Sequence, residues 1–271
     1  MVAEERDAGM RGIRENDARL AGVTRRTWIT GMAGLATAML APVSARADRY
    51  GPVGGTRILV LGDSMIAGGL GLYLARALGE EHGYDVTRRG KSSSGLARPD
   101  FFDWEDEARA LVGESPFDAT VVMFGGNDVQ GLYMGKKEWI RWPEDGWDQE
   151  YARRVAALYD IVAPDEQQVF WVGMPVMRPA KFHQRVQRVN TIFRAEMAIR
   201  RNADFVDIWS LLADEKGAYA DRIHVTPEGG EGGTRKKVQV RAGDGIHMTV
   251  SGARYVAAHL EAVVHARLSP A

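Results

Sequence analysis

The sequence of 271 residues contains no cysteine. Disulfide bonds, a thiolate nucleophile and cysteine-ligated zinc sites are therefore excluded. An excess of one charge is also missing, because 35 lysines and arginines stand against 36 acidic residues, for a formal net charge of -1. A chain with this balance lacks the basic surface that attracts nucleic acid or an anionic membrane, so no nucleic-acid partner is expected. Internal repeats are not visible, and one globular domain is expected.

A charge-free stretch near the N-terminus predicts an export signal. Arg25 and Arg26 are followed by Thr, Trp and Ile, and residues 27–45 carry no charge. The stretch leads into an Ala-Arg-Ala sequence, a small-x-small pattern typical of a cleavage site. Residues 1–47 are therefore similar to a twin-arginine signal, with cleavage expected after Ala47, a periplasmic or extracellular location, and no membrane segment afterwards. The alternative is an uncleaved membrane anchor, because the charge-free length approaches what a bilayer requires.

The expected mature domain, residues 48–271, alternates apolar runs of strand length with helical stretches. The predicted strands are residues 58–61, a short segment near Val86, and residues 119–124, 169–172 and 205–208. The predicted helices are residues 66–78, 105–112, 151–162, 182–201 and 250–268. This β/α alternation is typical of a mostly parallel sheet with helices on both faces. Residues 222–241 depart from it and predict a hairpin with a glycine-rich tip.

A serine follows the first predicted strand. Residues 57–64 read Arg-Ile-Leu-Val-Leu-Gly-Asp-Ser, so Ser64 is expected at the carboxyl end of a strand, on the turn into a helix. Ligands bind at this end of an open α/β sheet, and a serine there has an exposed hydroxyl close to N–H groups of the helix terminus. Ser64 could also serve only as the cap of that helix.

Further polar segments follow the later strands and should reach the same edge of the sheet. They are Gly-Lys-Ser-Ser-Ser-Gly at residues 90–95, Gly-Gly-Asn-Asp at 125–128 and Asp-Gly-Ile-His at 244–247. Acyl transfer by a serine needs a base, a carboxylate that orients the base, and donors for the oxyanion. His247 and Asp244 suit the first two roles. The N–H groups of Ser64 and Gly95 and the side-chain amide of Asn127 suit the third.

The four segments together resemble the SGNH or GDSL hydrolases. The matching segments are the nucleophile block at residues 62–64, the glycine block at 94–95, the asparagine block at 125–128 and the Asp-x-x-His block at 244–247. Any one match is weak, but four in the family's order are specific. Residues 89–104 are similar to an exported bacterial subgroup of this family.

The resemblance implies a flavodoxin-like, three-layer α/β/α sandwich with a mostly parallel five-stranded sheet. It also implies a serine esterase or acyltransferase mechanism that uses Ser64, His247 and Asp244, without a cofactor or metal. Gly90 lies in the same segment as Gly95, and the sequence leaves open which of the two glycines donates to the oxyanion.

Three functions fit these residues. A serine esterase would pass a short acyl group, foremost acetyl, from Ser64 to water. An O-acetyltransferase would use the same residues and pass the group to a sugar hydroxyl. A glycan-binding protein would keep the fold without catalysis, but it would have no need of the serine, aspartate and histidine. Hydrolysis is favoured, because the sequence encodes no membrane-embedded partner that would donate an acyl group.

Substrate contacts are expected from the loop after the asparagine segment. Tyr133, Trp139, Trp142 and Trp147 lie close together in the sequence, and Trp139 and Trp142 are predicted to line the crevice beside a saccharide ring. The alternative is that these aromatic side chains pin a long loop onto the domain. Arg178 follows the fourth predicted strand and is expected either to bind an anionic group or to be solvated.

The remaining candidates are interpreted as structural. Asp63 and Asp128 adjoin two of the segments and are expected to brace turns by accepting backbone N–H groups. The other histidines are isolated from carboxylates in the sequence and are interpreted as surface or packed residues. They are His82, His183, His224, His259 and His265.

Overall fold

The computed structural model describes residues 47–52, 55–114, 116–225 and 236–269. Residues 1–46 of the predicted export signal lie outside these ranges, as does the glycine-rich tip of the predicted hairpin. The signal, its cleavage and the domain boundary at residue 48 therefore stay predictions. Within the described ranges, no helix has the length and apolar character that a bilayer span requires.

Strands and helices alternate along most of the chain. The strands are β1 (Asp48–Tyr50), β2 (Arg57–Gly62), β3 (Asp85–Gly90), β4 (Ala119–Met123), β5 (Leu132–Gly135), β6 (Glu138–Ile140), β7 (Gln168–Val172), β8 (Ala203–Val206), β9 (Arg222–Val225) and β10 (Lys236–Gln239). The helices are α1 (Ser64–Ala67), α2 (Gly69–Arg76), α3 (Trp104–Glu114), α4 (Trp147–Val162), α5 (Ala180–Ala198) and α6 (Val250–Leu268).

A six-stranded sheet forms the centre of the fold, in the order β1-β3-β2-β4-β7-β8. Five of its strands are parallel, whereas β1 pairs antiparallel with β3 at one edge. The predicted mostly parallel sheet is confirmed, with one strand more than expected. The sequence did not reveal β1 because Asp-Arg-Tyr contains no apolar run. The residues of β2 from Ile58 to Leu61 are fully buried, as expected for a strand covered on both faces.

Helices flank the sheet on both sides. The chain passes from β2 to β3 in one direction and then from β4 to β7 and β8 in the other. Because parallel crossovers are right-handed, this reversal places α2 on one face and α3, α4 and α5 on the opposite face. The last helix, α6, packs against α2, and α3 packs against α4. The strand order reverses at β2, and ligands of open α/β sheets bind outside the carboxyl ends of the strands at such a point.

The predicted helix at residues 66–78 is divided into shorter pieces. Gly68 has extended backbone angles between α1 and α2, and a π-helical turn at Ala77–Glu81 follows α2. An extended residue interrupts the intrahelical hydrogen bonds, so α1 is a single turn directly behind β2. The last predicted strand, residues 205–208, also differs, because β8 begins and ends two residues earlier.

Two hairpins lie outside the central sheet. Strands β9 and β10 pair antiparallel, which confirms the hairpin predicted within residues 222–241. Strands β5 and β6 form a second hairpin in the aromatic loop, where irregular chain was expected. Its turn holds Lys136 and Lys137 with φ of 49° and 67°. Such turns usually carry Asn or Gly, so two lysines gave no signal for a hairpin.

Replacing Gly90 by Ala tests the close approach of α1 to the sheet. A Cβ atom at Gly90 would lie 2.2 Å from the backbone nitrogen of Ala67 and 2.5 Å from its Cα. We expect Gly90→Ala to lower the free energy of unfolding by about 1–3 kcal/mol, since backbone atoms cannot give way as a flexible side chain does. Gly113→Ala is the matched control, because no heavy atom lies within 4 Å of a Cβ there. Denaturant unfolding compares the two variants, and a Gly90→Ala protein as stable as the wild type would contradict the packing.

Candidate active site

Ser64 is the first residue of α1 and stands at the carboxyl end of β2. The residue that caps α1 is Asp63, whose Oδ1 accepts a hydrogen bond from the N–H of Met65 at 2.9 Å. The alternative that Ser64 only caps its helix is therefore wrong. The Ser64 hydroxyl is instead hydrogen-bonded to His247, with 3.0 Å between Oγ and Nε2.

Asp244 and His247 lie on a tight turn before α6. Nδ1 of His247 is 2.6 Å from Oδ2 of Asp244. The other carboxylate oxygen accepts the N–H groups of Ile246 at 2.8 Å and His247 at 2.9 Å. Gly245 has φ of 72°, and this left-handed conformation lets the chain turn within three residues. The structure thus brings Ser64, His247 and Asp244 into one hydrogen-bonded series.

Electrostatics fix the protonation of this series. Partial burial raises the pKa of Asp244, but the hydrogen bonds from the His247 ring and from two backbone N–H groups outweigh it and lower the pKa to about 2. The carboxylate is thus ionised at neutral pH. An ionised acceptor at Nδ1 favours the tautomer with its proton there, which leaves Nε2 free to accept a proton from Ser64.

Two arginines hold the turn of Asp244 and His247. Arg241 is fully buried, and its Nη2 donates to the carbonyl oxygens of Ile246 at 2.8 Å and Gly245 at 3.2 Å. The backbone N–H of Arg178 donates to Gly245 at 3.1 Å, and its guanidinium donates to the carbonyl of Gly243. Sequence reasoning missed Arg241 altogether. Arg178 reaches the expected rim, and its contacts here are with the turn.

The segments that carry Asn127 and Gly95 are joined by a hydrogen bond. The side-chain amide of Asn127 donates to the carbonyl of Ser94 at 2.9 Å, which joins the asparagine and glycine segments. Gly90, by contrast, ends β3 opposite Gly62 and packs on α1. Among the described residues, the backbone N–H groups of Ser64 and Gly95 meet no hydrogen-bond acceptor. Their role as oxyanion donors stays a prediction, and the geometry favours Gly95 over Gly90.

The aromatic loop is held by its own packing. Trp139 on β6 contacts Tyr133, with ring centroids 5.2 Å apart, and the guanidinium of Arg98 at 5.0 Å. Trp142 is partly buried against Trp147, with ring centroids 4.3 Å apart. These contacts agree with the alternative in which the aromatic residues pin the loop, and a substrate role for either stays a prediction.

A cleft of about 470 Å³ opens beside Gly95. Four parts of the chain line it: the loop between β3 and α3, the start of α3, strand β5 of the β5–β6 hairpin, and α4. The lining side chains include Asp100, Phe102, Tyr133, Met134, Glu150 and Arg153. The cleft is lined by both apolar and charged side chains.

Two of the other histidines are packed residues, in agreement with their structural interpretation. His82 contacts Oε1 of Glu261 on α6 through its Nε2. Its ring also stacks on His265 with centroids 3.7 Å apart, and Nδ1 of His265 lies 2.9 Å from the hydroxyl of Tyr84. These contacts join residues about 180 positions apart in the sequence, so no local pattern could announce them.

Solved structures with this fold include hydrolases. A member of the lipolytic protein G-D-S-L family from Veillonella parvula has a TM-score of 0.52 and 16% identity, covering 78% of this chain and 99% of that chain. An alpha/beta hydrolase enzyme from the metagenome of Lake Arreo, Spain, has a TM-score of 0.54 and 16% identity, with 79% and 97% covered. A GDSL-like lipase from Bacteroides thetaiotaomicron has a TM-score of 0.50 and 14% identity, with 79% and 89% covered. These similarities establish an SGNH/GDSL hydrolase fold.

No curated protein matches the sequence. A family model with the description "Protein of unknown function (DUF459)" matches residues 57–263. The matched region runs from the first residue of β2 into α6 and contains Ser64, Gly95, Asn127, Asp244 and His247. Because the match covers most of the sequence, the chain belongs to the DUF459 family.

Proposed function

We propose that the protein is a serine esterase that hydrolyses short-chain acyl esters, foremost O-acetyl esters. The observation that carries the proposal is the hydrogen-bonded series from Ser64 through His247 to Asp244, with distances of 3.0 and 2.6 Å. The lipolytic protein and the GDSL-like lipase that share its fold support it. A protein that only bound glycans would have no need of a base aligned on a serine hydroxyl.

The geometry suggests how each residue would act. Oγ of Ser64 attacks the acyl carbonyl carbon while Nε2 of His247 accepts the hydroxyl proton, and Asp244 stabilises the imidazolium that forms. The oxyanion accepts hydrogen bonds from the N–H groups of Ser64 and Gly95 and from the Asn127 amide. The alcohol leaves with the proton from His247. Water then attacks the acyl-enzyme, with His247 as base, and releases the carboxylic acid and free Ser64.

The proposed substrate is an acetylated carbohydrate of the cell envelope or the extracellular space. Two features support it: the predicted export signal, and the mixed apolar and charged cleft beside Gly95. Saccharide rings pack an apolar face on aromatic side chains while their hydroxyls bind polar groups. Trp139 and Trp142 are the proposed saccharide contacts, and Trp139 is 42% exposed.

Replacing Ser64 by Ala tests the nucleophile. We expect Ser64→Ala to lower kcat for p-nitrophenyl acetate by roughly 10⁴-fold to 10⁶-fold, since the base alone cannot replace the nucleophile. The fold should be retained, as judged by circular dichroism. Ser251→Ala, at an exposed serine of α6, is the control and should keep full activity. Appreciable turnover by purified Ser64→Ala protein would refute the proposed mechanism.

Esters that differ in acyl length or in the alcohol group test the proposed substrate. We expect p-nitrophenyl acetate to be cleaved with a higher kcat/KM than the octanoate. Trp139→Ala and Trp142→Ala should each raise KM for an acetylated oligosaccharide more than KM for the aryl acetate, because only the saccharide would contact the tryptophan rings. Steady-state kinetics on both substrates measure the difference. A preference for octanoate, or equal effects on the two acetates, would rule out the carbohydrate substrate and leave a general serine esterase.

Replacing Arg25 and Arg26 by Lys tests the proposed location. A twin-arginine route reads the pair itself rather than positive charge, so the Arg25→Lys, Arg26→Lys double variant should accumulate as precursor in the cytoplasm. The Arg11→Lys, Arg14→Lys variant conserves the same charge outside the pair and should be exported and cleaved after Ala47. Cell fractionation with N-terminal sequencing reads both results. Normal export of the Arg25, Arg26 variant would mean that a different route is used.

A further inference from the structure

Asp128 is a buried carboxyl group for which the proposed chemistry has no use. It follows Asn127 directly, yet its side chain is 0% exposed, so it cannot meet an ester or a water molecule at the site. A buried carboxyl group costs free energy unless its oxygens have partners. The partners of Asp128 therefore indicate what the group does.

Both carboxyl oxygens of Asp128 are occupied. Oδ1 accepts the backbone N–H of Ala97 at 2.8 Å, across 31 positions of sequence. Oδ2 accepts the hydroxyl of Tyr151 on α4 at 2.7 Å. The sequence predicted that Asp128 braces a turn by accepting backbone N–H groups, and the structure shows such a bond, to the loop that carries Gly95.

Gly95 lies directly on this carboxyl group. A Cβ atom at Gly95 would stand 2.2 Å from Oδ1 of Asp128, closer than any side chain can approach. The residues on either side of Gly95 are also held: the Ser94 carbonyl accepts the Asn127 amide, and the Leu96 carbonyl accepts Nη1 of Arg154 at 2.7 Å. The backbone around Gly95 is therefore fixed in direction, while its own N–H is left without an acceptor among the described residues.

We propose that Asp128 is a positioning residue that holds the N–H of Gly95 toward the oxyanion formed at Ser64. It acts through the loop and never touches the substrate, and it explains why residue 95 must be glycine. This inference rests on the proposed esterase function. Oxyanion donors must be aligned before the reaction, because reorienting them in the transition state would cost the stabilisation they supply.

Three variants separate positioning from simple stabilisation of the fold. Asp128→Ala removes the acceptor of Ala97 N–H. Asp128→Asn retains an oxygen for Ala97 and a donor for the Tyr151 oxygen. Tyr151→Phe removes only the contact at Oδ2 and is the matched control, since it deletes a buried hydrogen bond without freeing the loop. Burial raises the pKa of Asp128 to about 6, so a neutral side chain of the same shape should be accepted there.

The kinetic experiment uses the purified protein and p-nitrophenyl acetate. We expect Asp128→Ala to lower kcat by about 10²-fold with KM changed by less than about threefold, as for loss of one oxyanion donor. Asp128→Asn and Tyr151→Phe should each stay within about fivefold of the wild type. If Asp128→Ala does not fold, Gly95→Ala tests the inference in its place. Its methyl group must displace the loop and should lower kcat in the same way.

Hydrogen exchange supplies a readout that needs no turnover. Deuterium uptake by a peptide covering residues 91–100 should be faster in Asp128→Ala than in Tyr151→Phe, although both variants lose stability. Wild-type kcat in Asp128→Ala or in Gly95→Ala would overturn the inference, as would equal losses of kcat in Asp128→Ala and Tyr151→Phe. A wild-type protein without esterase activity would instead overturn the proposed function, and the exchange comparison would still decide whether Asp128 holds the loop.

Discussion

Parallel pairing of β2 with both β3 and β4 is the constraint on which the site depends. Gly62, the last residue of β2, pairs with Gly90 on one side and with Met123 on the other. The three strands therefore end at one level, and the segments that follow them start side by side although they are far apart in sequence. Gly62 and Gly90 at two of these ends let α1 approach closely. Without this register, the segments that carry Ser64, Gly95 and Asn127 would not start side by side.

Environment gives three aspartates near the site different properties. Asp244 accepts hydrogen bonds from the ring and backbone of His247, and its pKa falls to about 2, so it is ionised at neutral pH. Asp63 and Asp128 are buried, and burial raises their pKa to about 7 and about 6. Burial and hydrogen bonding thus give chemically identical groups different pKa values.

The sequence predicted those parts of the molecule that short segments encode. The Asp-x-x-His spacing contains a complete turn with its own hydrogen bonds, and the apolar runs of the parallel strands are unambiguous because both faces are covered. What the sequence did not reveal depends on contacts across the fold. Arg241 against the turn of Asp244 and His247, Asp128 against Gly95, and His82 with Glu261 are each recognisable only once distant elements are adjacent. The Lys136–Lys137 turn was missed for another reason, since its residues are atypical of hairpins.

The central claim is that Ser64 is a nucleophile activated by His247. The most direct measurement is incubation of the protein with a serine-reactive fluorophosphonate, followed by mass spectrometry of its peptides. Activation by the base predicts a single phosphonate adduct on Ser64 and strongly reduced labelling of a His247→Ala variant, because an unactivated hydroxyl reacts slowly. Absence of an adduct, an adduct on another serine, or equal labelling of the His247→Ala variant would contradict the account.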